Sequence, residues 1–349
     1  MAVHFSVESM LKVLRHNRFG PPDQVLELVE EADPALAPGQ VRIRIEATSI
    51  HAGDLKNIAG EMIMVRNPTG GANLAVPLPQ TPGIEGVGRI IEGAGDIAGL
   101  TLGQRVFLPI QCGSWREALV AEARTLIPAP EGDPVQLSLM VNALTADLAL
   151  RDLVALSPGD WVIQNGANSN VGRVLIALAR LRGFRTVNVV RRLSVESELR
   201  ALGADVVVLD GDGLAERVSA ATGGAAIPLG LDGVAGPATG RLAECVADDG
   251  MVANYGLMSG EPCHIEPWML MYKRLTLCGY YMGYHRRRRP HAEQAAIIAE
   301  LADLIVKGVL PARIAATYPL ERYREAVRHA AREGAERDGK VVFDLRREA

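Results

Sequence analysis

The chain has 349 residues and a mass of 37.4 kDa, which corresponds to about two domains of ~150 residues. Its 48% hydrophobic and 22% charged residues are ordinary globular values and exclude a disordered chain, a collagen and a coiled coil. With 37 basic and 41 acidic residues the net charge is −4, which argues against a general nucleic-acid-binding protein.

The first 127 residues have the pattern of short β-strands. In QVRIRIEATSI, the apolar Val41, Ile43 and Ile45 alternate with polar residues and therefore share one face of a strand. Residues 61–80 contain Asn-Pro and Gly-Gly and predict a long loop, of a length that is often functional. Further strands, separated by glycine turns, are predicted in GVGRIIEGAG, GQRVFLPI and SWREALVAEA.

From residue 128 onward, helices and strands alternate. DPVQLSLMVNALTADLALRDLVAL has helical spacing, and a helix over 291–307 and the strand GKVVFDL close the chain. Between them, strands separated by helices are predicted in DWVIQNGA, RTVNVVRR, ADVVVLD, IPLGLDGVAG and GMVANYG. This alternation is typical of an α/β fold with a parallel, doubly wound sheet.

One strand–turn–helix segment, WVIQNGANSNVGRVLIALA, has the features of a phosphate cradle. Its small residues Gly166, Ala167 and Gly172 let backbone N–H groups approach a diphosphate, whose charge the helix N-terminus favours. Asn168 and Ser169 either cap the helix or donate to phosphate oxygens. The spacing is not a strict GxGxxG, so an ordinary capped turn is the alternative. The surrounding strand–helix units favour the nucleotide site.

The next strand ends in Arg191 and Arg192, about 20 residues beyond the turn. An NAD site has an acidic residue there for the ribose 2′-hydroxyl, whereas an NADP site has arginine. The first acidic residue, Glu196, lies inside the following helix. The alternative is that the two arginines are only the solvated end of a strand. Two adjacent guanidinium groups favour a 2′-phosphate site instead, so we predict NADPH as the cofactor.

These segments, in their order, resemble the zinc-free medium-chain dehydrogenase/reductases. The resemblance spans roughly residues 10–345 and is carried by VNALTADLAL, WVIQNGANSNVGR, TVNVVRR, GMVANYGLMSGEP, YKRLTLCGYYMGY and GKVVFDL. Within this group the chain is most similar to the 2-enoyl thioester reductases, the mitochondrial-type trans-2-enoyl-CoA/acyl-carrier-protein reductases, with the quinone oxidoreductases as neighbours.

The resemblance implies the domain organisation. A GroES-like β-rich catalytic domain would begin with residues 1–127, and an inserted Rossmann domain would bind NADPH over residues 128–275. Residues 276–349 would complete the edge of the cofactor domain and return to the catalytic domain. The family also has a cleft between the two domains and forms homodimers.

The resemblance further implies which residues contact NADPH. The family's contacts lie in its VN-x-LTA segment, its phosphate cradle, its 2′-phosphate site, the loop under the nicotinamide, an aromatic segment and a late lysine. The family's Arg-x-Arg is Arg-Arg-Leu in this chain. The matching residues are Asn142, Asn168, Ser169, Asn170, Val171, Arg191, Arg192, Tyr255, Gly256, Leu257, Met258, Tyr280, Tyr281, Met282 and Lys340.

The substrate end departs from the family pattern. The family's proton donor is a tyrosine in a QG-x-Y context, and the matching stretch GDLKNIAGEM places Met62 at that position. Methionine cannot donate a proton. The identity of the proton donor and of the substrate is therefore open, whereas the cofactor prediction is unaffected.

Zinc is not expected. Where zinc-dependent relatives have cysteine and Gly-His-Glu, this chain has Ser49-Ile50-His51 and Gly83-Ile84-Glu85. A catalytic zinc needs three protein ligands, and His51 with Glu85 offers at most two. We therefore expect His51 to be a polar wall residue.

Without a metal, the cofactor supplies the hydride and the protein orients and polarises the substrate. Reduction of a C=C bond conjugated to a carbonyl needs hydrogen-bond donors at the enolate oxygen and a proton at Cα. Solvent is one proton source. Asp54 is expected to be structural, and Thr145 either contacts the nicotinamide or serves helix capping or packing. The candidate catalytic residues are Asn57, Lys56, Tyr255 and His51.

Four consecutive arginines, Arg286–Arg289, precede Pro290 and a predicted helix. Cations at a helix N-terminus oppose its dipole. Two interpretations stay open: a solvated turn, or a docking site for the phosphates of coenzyme A or an acidic carrier protein.

Three functions remain open from the sequence. The first is an NADPH-dependent reductase of α,β-unsaturated carbonyl compounds, including enoyl thioesters, and the second is an NADPH:quinone oxidoreductase. The third is an NADPH-binding sensor or structural protein without catalysis. We predict a cytoplasmic protein that does not bind a membrane. The four cysteines are scattered and form no CxxC pair, as in proteins of a reducing compartment. The sequence also shows no apolar run near the ~18 residues of a membrane span and no signal-peptide pattern.

Overall fold

The computed structural model of the protein describes residues 10–61, 77–310, 312–332 and 339–346, so Met62 and most of the predicted loop lie outside it. The chain forms two compact units. Unit 1 comprises Met1–Met140, Ala295–Gly308 and Ala312–Ala349, and unit 2 comprises Val141–Gln294 and Val309–Pro311. Unit 2 is thus inserted into the sequence of unit 1, which confirms the predicted fold class.

Unit 1 is rich in β-structure. Numbered along the whole chain, its strands are β1 (Met10–His16), β2 (Leu26–Ala32), β3 (Gln40–Ser49), β4 (Val87–Gly93), β5 (Arg105–Phe107), β6 (Ala118–Glu122), β7 (Ile127–Pro128), β14 (Ile314–Tyr318) and β15 (Lys340–Asp344). Its helices are α1 (Pro22–Val25), α2 (Ala52–Ala59), α3 (Pro134–Leu137) and α12 (Tyr323–Ala331).

The large sheet of unit 1 is centred on β3. Its strands follow the order β14-β15-β3-β4-β5-β7, and β6 also pairs with β3, whereas β1 and β2 form a separate antiparallel pair. Val41, Ile43 and Ile45 are buried, as their alternation predicted. Trp115 and Phe343 are also fully buried and meet edge to face with 5.3 Å between ring centroids. This core supports the end of β3 and the start of α2.

Unit 2 alternates strands and helices. Its strands are β8 (Trp161–Gln164), β9 (Arg185–Val190), β10 (Val206–Leu209), β11 (Leu229–Asp232), β12 (Met251–Asn254) and β13 (Thr276–Gly279). Its helices are α4 (Met140–Asp152), α5 (Asn170–Leu181), α6 (Glu196–Leu202), α7 (Leu214–Thr222), α8 (Pro237–Cys245), α9 (Pro267–Met271) and α10 (Met282–Arg287). Helix α11 (His291–Val306) runs on into the sequence range of unit 1.

The sheet of unit 2 is parallel throughout, in the order β10-β9-β8-β11-β12-β13. This is the Rossmann order, in which the chain reverses direction across the sheet between its first and fourth strands, here β8 and β11. Ligands bind in such sheets outside the carboxyl ends of the strands at that point. The topology therefore directs attention to the residues that follow β8, β11 and β12.

One predicted helix is divided in the structure. The segment from Asp133 onward forms α3 and α4 with a break at Ser138, whose hydroxyl donates to the carbonyl of Val135 at 2.9 Å. Side-chain bonds of this kind compete with the helix ladder. Among the described residues, none of the helices has the length and apolar character that crossing a membrane would require.

Candidate functional site

The predicted phosphate turn follows β8. Gly166 has a φ of 58°, a left-handed conformation that glycine adopts without strain. Ser169 is the N-cap of α5, and its Oγ accepts the backbone N–H of Gly172 at 3.1 Å. A Cβ at Gly172 would lie 2.5 Å from the carbonyl oxygen of Ala167, so the helix packs too closely on the turn for a larger residue. The capped helix N-terminus and small residues fit a diphosphate.

The other predicted cradle residues surround this turn. Asn168 is exposed, Val171 is half-buried, and Asn170 is buried in the first turn of α5. A buried arginine that the sequence analysis did not single out, Arg173, donates from Nε to the carbonyl of Asn168 at 3.1 Å. An arginine on an otherwise apolar helix face was the sequence feature that could have identified it as part of the turn.

Strand β9 ends beside the turn. The backbone N–H of Ala167 donates to the carbonyl of Val189 at 3.4 Å, one residue before the end of the strand. Arg191 is exposed and Arg192 is half-buried. In the part of the chain that the structure describes, neither arginine forms an ion pair. Both guanidinium groups are therefore available to a phosphate group.

A buried carboxylate joins the ends of β8, β11 and β12. Asp232 is the last residue of β11 and is fully buried. Donors from five residues reach its two oxygens at 2.6–3.0 Å: Asn165 Nδ2, Val234 N, Ala235 N, Thr239 Oγ1 and Asn254 Nδ2. A buried charge is stable only when it is well paired, so this network holds the three loops at the carboxyl edge in one arrangement. This network was not predicted from the sequence, although polar residues at the ends of β8, β11 and β12 were a signal.

The loop after β12 lies next to the phosphate turn. The hydroxyl of Tyr255 is hydrogen-bonded to Ser169, and burial, followed by the negative charge of Asp232, raises the pKa of Tyr255 to about 12. A Cβ at Gly256 would lie 2.4 Å from the carbonyl oxygen of Gly233, so the loops after β11 and β12 touch. Tyr255 therefore helps to shape the cradle. The two residues that follow, Leu257 and Met258, are exposed.

A second group of predicted contacts joins α4 to the segment after β13. The hydroxyl of Thr145 donates to the carbonyl of Val141, one turn earlier in the same helix, at 2.7 Å. The hydroxyl of Tyr280 donates to the carbonyl of Thr145 at 2.9 Å. Tyr280 is buried, whereas Tyr281 is half exposed. Asn142 and Met282 are also buried.

The four arginines after β13 differ in their surroundings. Arg289 binds Asp152, with 2.5 Å between Nη2 and Oδ1, and Arg286 donates from Nη1 to Gln294 at 2.6 Å. Both are half-buried, so they contribute to the packing of unit 2.

Arg287 and Arg288 lie on the surface instead. Their guanidinium carbons lie 5.7 Å and 5.4 Å from the ring centroids of Tyr281 and Tyr284, respectively. All four of these side chains are exposed. In the structure, the run Arg286–Arg289 therefore consists of two packed arginines and one exposed pair on two tyrosines.

In unit 1, polar residues meet where three neighbouring strands of the large sheet end. Val342 of β15 pairs with Ser49 of β3, and Val87 of β4 pairs with Ala47. Continued beyond the strand ends, these registers place Lys340 opposite His51 and Glu85 opposite Ser49. His51 therefore lies at the tip of the middle strand.

The side chains in this cluster are hydrogen-bonded to one another. Nε2 of His51 lies 2.5 Å from Oε1 of Glu85, and the hydroxyl of Ser49 donates to the same oxygen at 2.9 Å. Nζ of Lys340 lies 3.5 Å from Nδ1 of His51. His51 also caps α2, since its side chain accepts the backbone N–H of Asp54. A carboxylate only accepts hydrogen bonds, so Nε2 carries the proton and Nδ1 is the accepting nitrogen.

Asp54 lies behind this cluster and is 3% exposed. Its carboxylate accepts the backbone N–H of His51 at 2.9 Å and that of Gly83 at 3.2 Å. Burial raises the pKa of Asp54 to about 6, and the backbone hydrogen bonds from His51 and Gly83 and the charge of Lys340 oppose this effect. The predicted structural role of Asp54 thus agrees with its position.

The residues around His51 do not fit a catalytic zinc. No group of three or more His, Cys, Asp or Glu side chains in the described ranges is arranged to hold a metal ion. The carboxylate oxygen of Glu85 nearest His51 is occupied by two hydrogen bonds, and Ile84 stands where zinc-dependent enzymes have histidine.

The remaining catalytic candidates lie on α2. Lys56 and Asn57 are half-buried, and Nζ of Lys56 lies 3.6 Å from Oε2 of Glu61. They belong to unit 1, whereas Tyr255 belongs to unit 2. Their catalytic roles stay predictions, and Met62 lies outside the described residues.

Comparison with known proteins adds two family matches. Residues 37–131 match the family described as alcohol dehydrogenase GroES-like domain, and residues 170–300 match that described as zinc-binding dehydrogenase. The chain is 30% identical over 332 residues to the mitochondrial enoyl-acyl-carrier-protein reductase of Rattus norvegicus, covering 93% of this chain and 86% of the rat protein. The corresponding protein of Arabidopsis thaliana is 31% identical over 279 residues, 78% of this chain and 72% of its own.

Solved structures agree with the fold. An enoyl thioester reductase mutant from Candida tropicalis superposes with a TM-score of 0.81 at 22% identity, covering 97% of this chain and all of that one. A mycobacterial quinone oxidoreductase superposes with a TM-score of 0.79 at 24% identity, covering 96% and 99%.

Proposed function

Since the chain belongs to the enoyl thioester reductase group of the medium-chain dehydrogenase/reductases, we propose that it is an NADPH-dependent reductase of the C=C bond of α,β-unsaturated carbonyl compounds. The observation that carries this proposal is the phosphate turn after β8 with two unpaired arginines beside it at the end of β9. Bound NADPH would supply the hydride.

The residues of unit 2 would hold this cofactor. The N-terminus of α5, capped by Ser169, would receive the diphosphate, and Arg191 with Arg192 would bind the 2′-phosphate. Tyr255 and the exposed Leu257 and Met258 would support the nicotinamide end, because their loop adjoins the turn.

The substrate class follows from the relatives, whose names describe reduction of enoyl groups on an acyl-carrier protein. We propose an enoyl thioester of coenzyme A or of a carrier protein. The second candidate is a quinone, since a quinone oxidoreductase shares the fold and Met62 offers no proton donor.

The direct test is NADPH oxidation, followed by absorbance, with crotonyl-CoA, a simple enone and a quinone. Turnover of crotonyl-CoA and the enone supports the proposal, and turnover of the quinone alone favours the second candidate. Tight NADPH binding without turnover of any acceptor would contradict both and favour a non-catalytic NADPH-binding protein.

We propose that Arg287 and Arg288 dock the phosphates of coenzyme A or an acidic carrier protein. Both are exposed cations on aromatic rings, whereas Arg286 and Arg289 contribute to packing. Replacing Arg287 and Arg288 with Ala should raise KM for crotonyl-CoA about tenfold, as loss of a charge-assisted contact implies, and leave KM for an enone unchanged. Arg185→Ala, at another arginine stacked on an aromatic ring, is the matched control. Equal KM values for crotonyl-CoA in the double variant and the control would contradict docking.

We also propose a cytoplasmic homodimer. All four cysteines carry free thiols, which suits a reducing compartment.

The dimer is supported by an open sheet edge. Among the described strands, β13 pairs only with β12, and the adjoining Trp268, Leu270, Met271 and Tyr272 are exposed. Light scattering should give twice 37.4 kDa for the wild type and a lower mass for Met271→Glu. A wild-type mass of 37.4 kDa would contradict the dimer.

A further inference from the structure

A carboxylate lies beside the two arginines at the end of β9. Strands β9 and β10 are parallel neighbours, and their register pairs Val190 with Leu209. The backbone N–H of Asp210 continues this pairing and donates to the carbonyl of Val190 at 2.8 Å. Asp210 therefore stands opposite Arg191, at the spacing of neighbouring strands, which is about 5 Å.

A negative charge at this position matters for the choice of cofactor. A phosphate monoester carries about 1.5–2 negative charges near pH 7, so an unneutralised carboxylate opposite Arg191 would repel a 2′-phosphate. The same carboxylate would also compete for the guanidinium group of Arg191. A ribose with a free 2′-hydroxyl carries no such charge and, in NAD sites, donates to a carboxylate. Asp210 with its charge uncovered would thus work against the selection of NADPH.

Arg241, on α8, binds this carboxylate through two of its nitrogens. Nε lies 2.8 Å from Oδ1 of Asp210, and Nη2 lies 2.7 Å from Oδ2. Burial raises the pKa of Asp210, but hydrogen bonding and the charge of Arg241 outweigh burial and hold this pKa below its ordinary value. Asp210 is therefore ionised at neutral pH, and Arg241 neutralises it.

A second arginine fixes the loop that contains Asp210. Arg217, on α7, donates to three backbone carbonyls at 2.7–3.2 Å, those of Leu209, Gly211 and Asp212. Arg217 thus binds the backbone of the loop, while Arg241 binds its carboxylate. In the described part of the chain Arg191 forms no ion pair, although it is the register neighbour of Asp210. The pair with Arg241 is what leaves Arg191 available.

We propose that Arg241 is a specificity-determining residue of the cofactor site, because its pairing with Asp210 keeps that carboxylate from repelling the 2′-phosphate and from occupying Arg191. Arg241 acts through Asp210 and is therefore a positioning residue. This inference rests on the NADPH site of the proposed function, and it adds a residue of α8 to the selection between NADPH and NADH.

Calorimetry of the full-length protein with NADPH and with NADH tests the proposal. Arg241→Gln keeps a hydrogen-bond donor for Asp210 but removes the positive charge. It should weaken NADPH binding about tenfold, as one unneutralised like charge near the 2′-phosphate implies, and leave NADH affinity within about threefold of the wild type. Arg241→Lys keeps the charge and should lose less NADPH affinity than Arg241→Gln.

The matched control is Arg274→Ala. It removes an arginine that pairs with Asp249 through the same two nitrogens, but both residues precede their strands, at the amino edge of the sheet. This variant should bind both cofactors as the wild type does, because its uncovered carboxylate lies away from the carboxyl edge.

Two readouts separate an electrostatic role of Arg241 from a structural one. The Arg241→Gln/Asp210→Asn double variant should regain NADPH affinity to within about threefold of the wild type, because no carboxylate remains to be neutralised. The ratio of wild-type to Arg241→Gln affinity for NADPH should also fall toward one as salt is raised from about 0.01 M to about 1 M. Loss of folding would lower the affinity for both cofactors and would not respond to salt in this way.

Several results would overturn the inference while the proposed function stands. These are an Arg241→Gln affinity for NADPH within about twofold of the wild type, equal losses for NADPH and NADH, or a double variant that binds NADPH as weakly as Arg241→Gln. A wild-type protein that binds NADPH no more tightly than NADH would instead overturn the NADPH site of the proposed function, and this inference with it.

Discussion

Asp232→Asn removes one of the two carboxylate oxygens that accept hydrogen bonds beneath the phosphate turn. The remaining oxygen can keep the bonds from Asn165 and from the backbone N–H groups of Val234 and Ala235. The new NH₂ group faces the hydroxyl of Thr239, which can rotate and accept, and Nδ2 of Asn254, which cannot.

The expected cost follows from these contacts. A hydrogen bond to a charged group contributes about 1.5–3 kcal/mol, and a buried donor left without an acceptor costs about 1–3 kcal/mol. Because the bond to Thr239 is weakened and that to Asn254 is lost, we expect the free energy of unfolding to fall by about 2–4 kcal/mol. The loops after β11 and β12 should also become less ordered, and NADPH should bind more weakly.

Urea unfolding of the wild type and Asp232→Asn, with NADPH affinity measured by fluorescence, checks this expectation. The matched control is Asp249→Asn, which removes a carboxylate from an exposed pair with Arg274 and should change stability little. If Asp232→Asn unfolds within about 0.5 kcal/mol of the wild type and binds NADPH equally well, the buried network does not hold the site, and the reasoning is wrong.

Three further predictions concern single features of the structure. Arg191→Ala and Arg192→Ala should each weaken NADPH binding about 10-fold or more and leave NADH binding unchanged, as measured by calorimetry; equal losses for both cofactors would contradict a 2′-phosphate site. Gly172→Val should destabilise the protein by about 1–3 kcal/mol in urea, since its Cβ would lie 2.5 Å from the carbonyl oxygen of Ala167; wild-type stability would show that the turn can yield. Because burial raises the pKa of Asp54 to about 6, its contribution to stability is full below the unfolded-state pKa near 3.8 and is lost as the pH rises through 6. Stability measured between pH 3 and 7 should therefore fall by about 3 kcal/mol more in the wild type than in Asp54→Asn, and parallel curves would refute this.

Much of the fold could be predicted because its signals are local. The alternation of Val41, Ile43 and Ile45 reports one buried strand face, and the strand–helix alternation after residue 128 reports a parallel sheet. The break at Ser138 could not be read from spacing, because a single hydroxyl bonded to the carbonyl of Val135 decides it.

The candidate cofactor site was largely predictable for a related reason. Its turn, cap and arginines follow successive strands, so a short stretch of sequence contains them in order, from Gly166 to Arg192. The different surroundings of the four arginines were not predictable. Whether Arg289 pairs with Asp152 depends on how α4 packs near the end of α10, which the run of cations does not encode.

The sequence by itself determined the alternating strand and helix pattern, the phosphate turn and the arginines beside it, because each is encoded within a few neighbouring residues. Only the tertiary structure decided the partners of His51. Glu85 and Lys340 lie 34 and 289 residues from it and reach it through the registers of β4 and β15 on either side of β3. Strand register depends on packing across the whole sheet, and no local pattern around His51 specifies it.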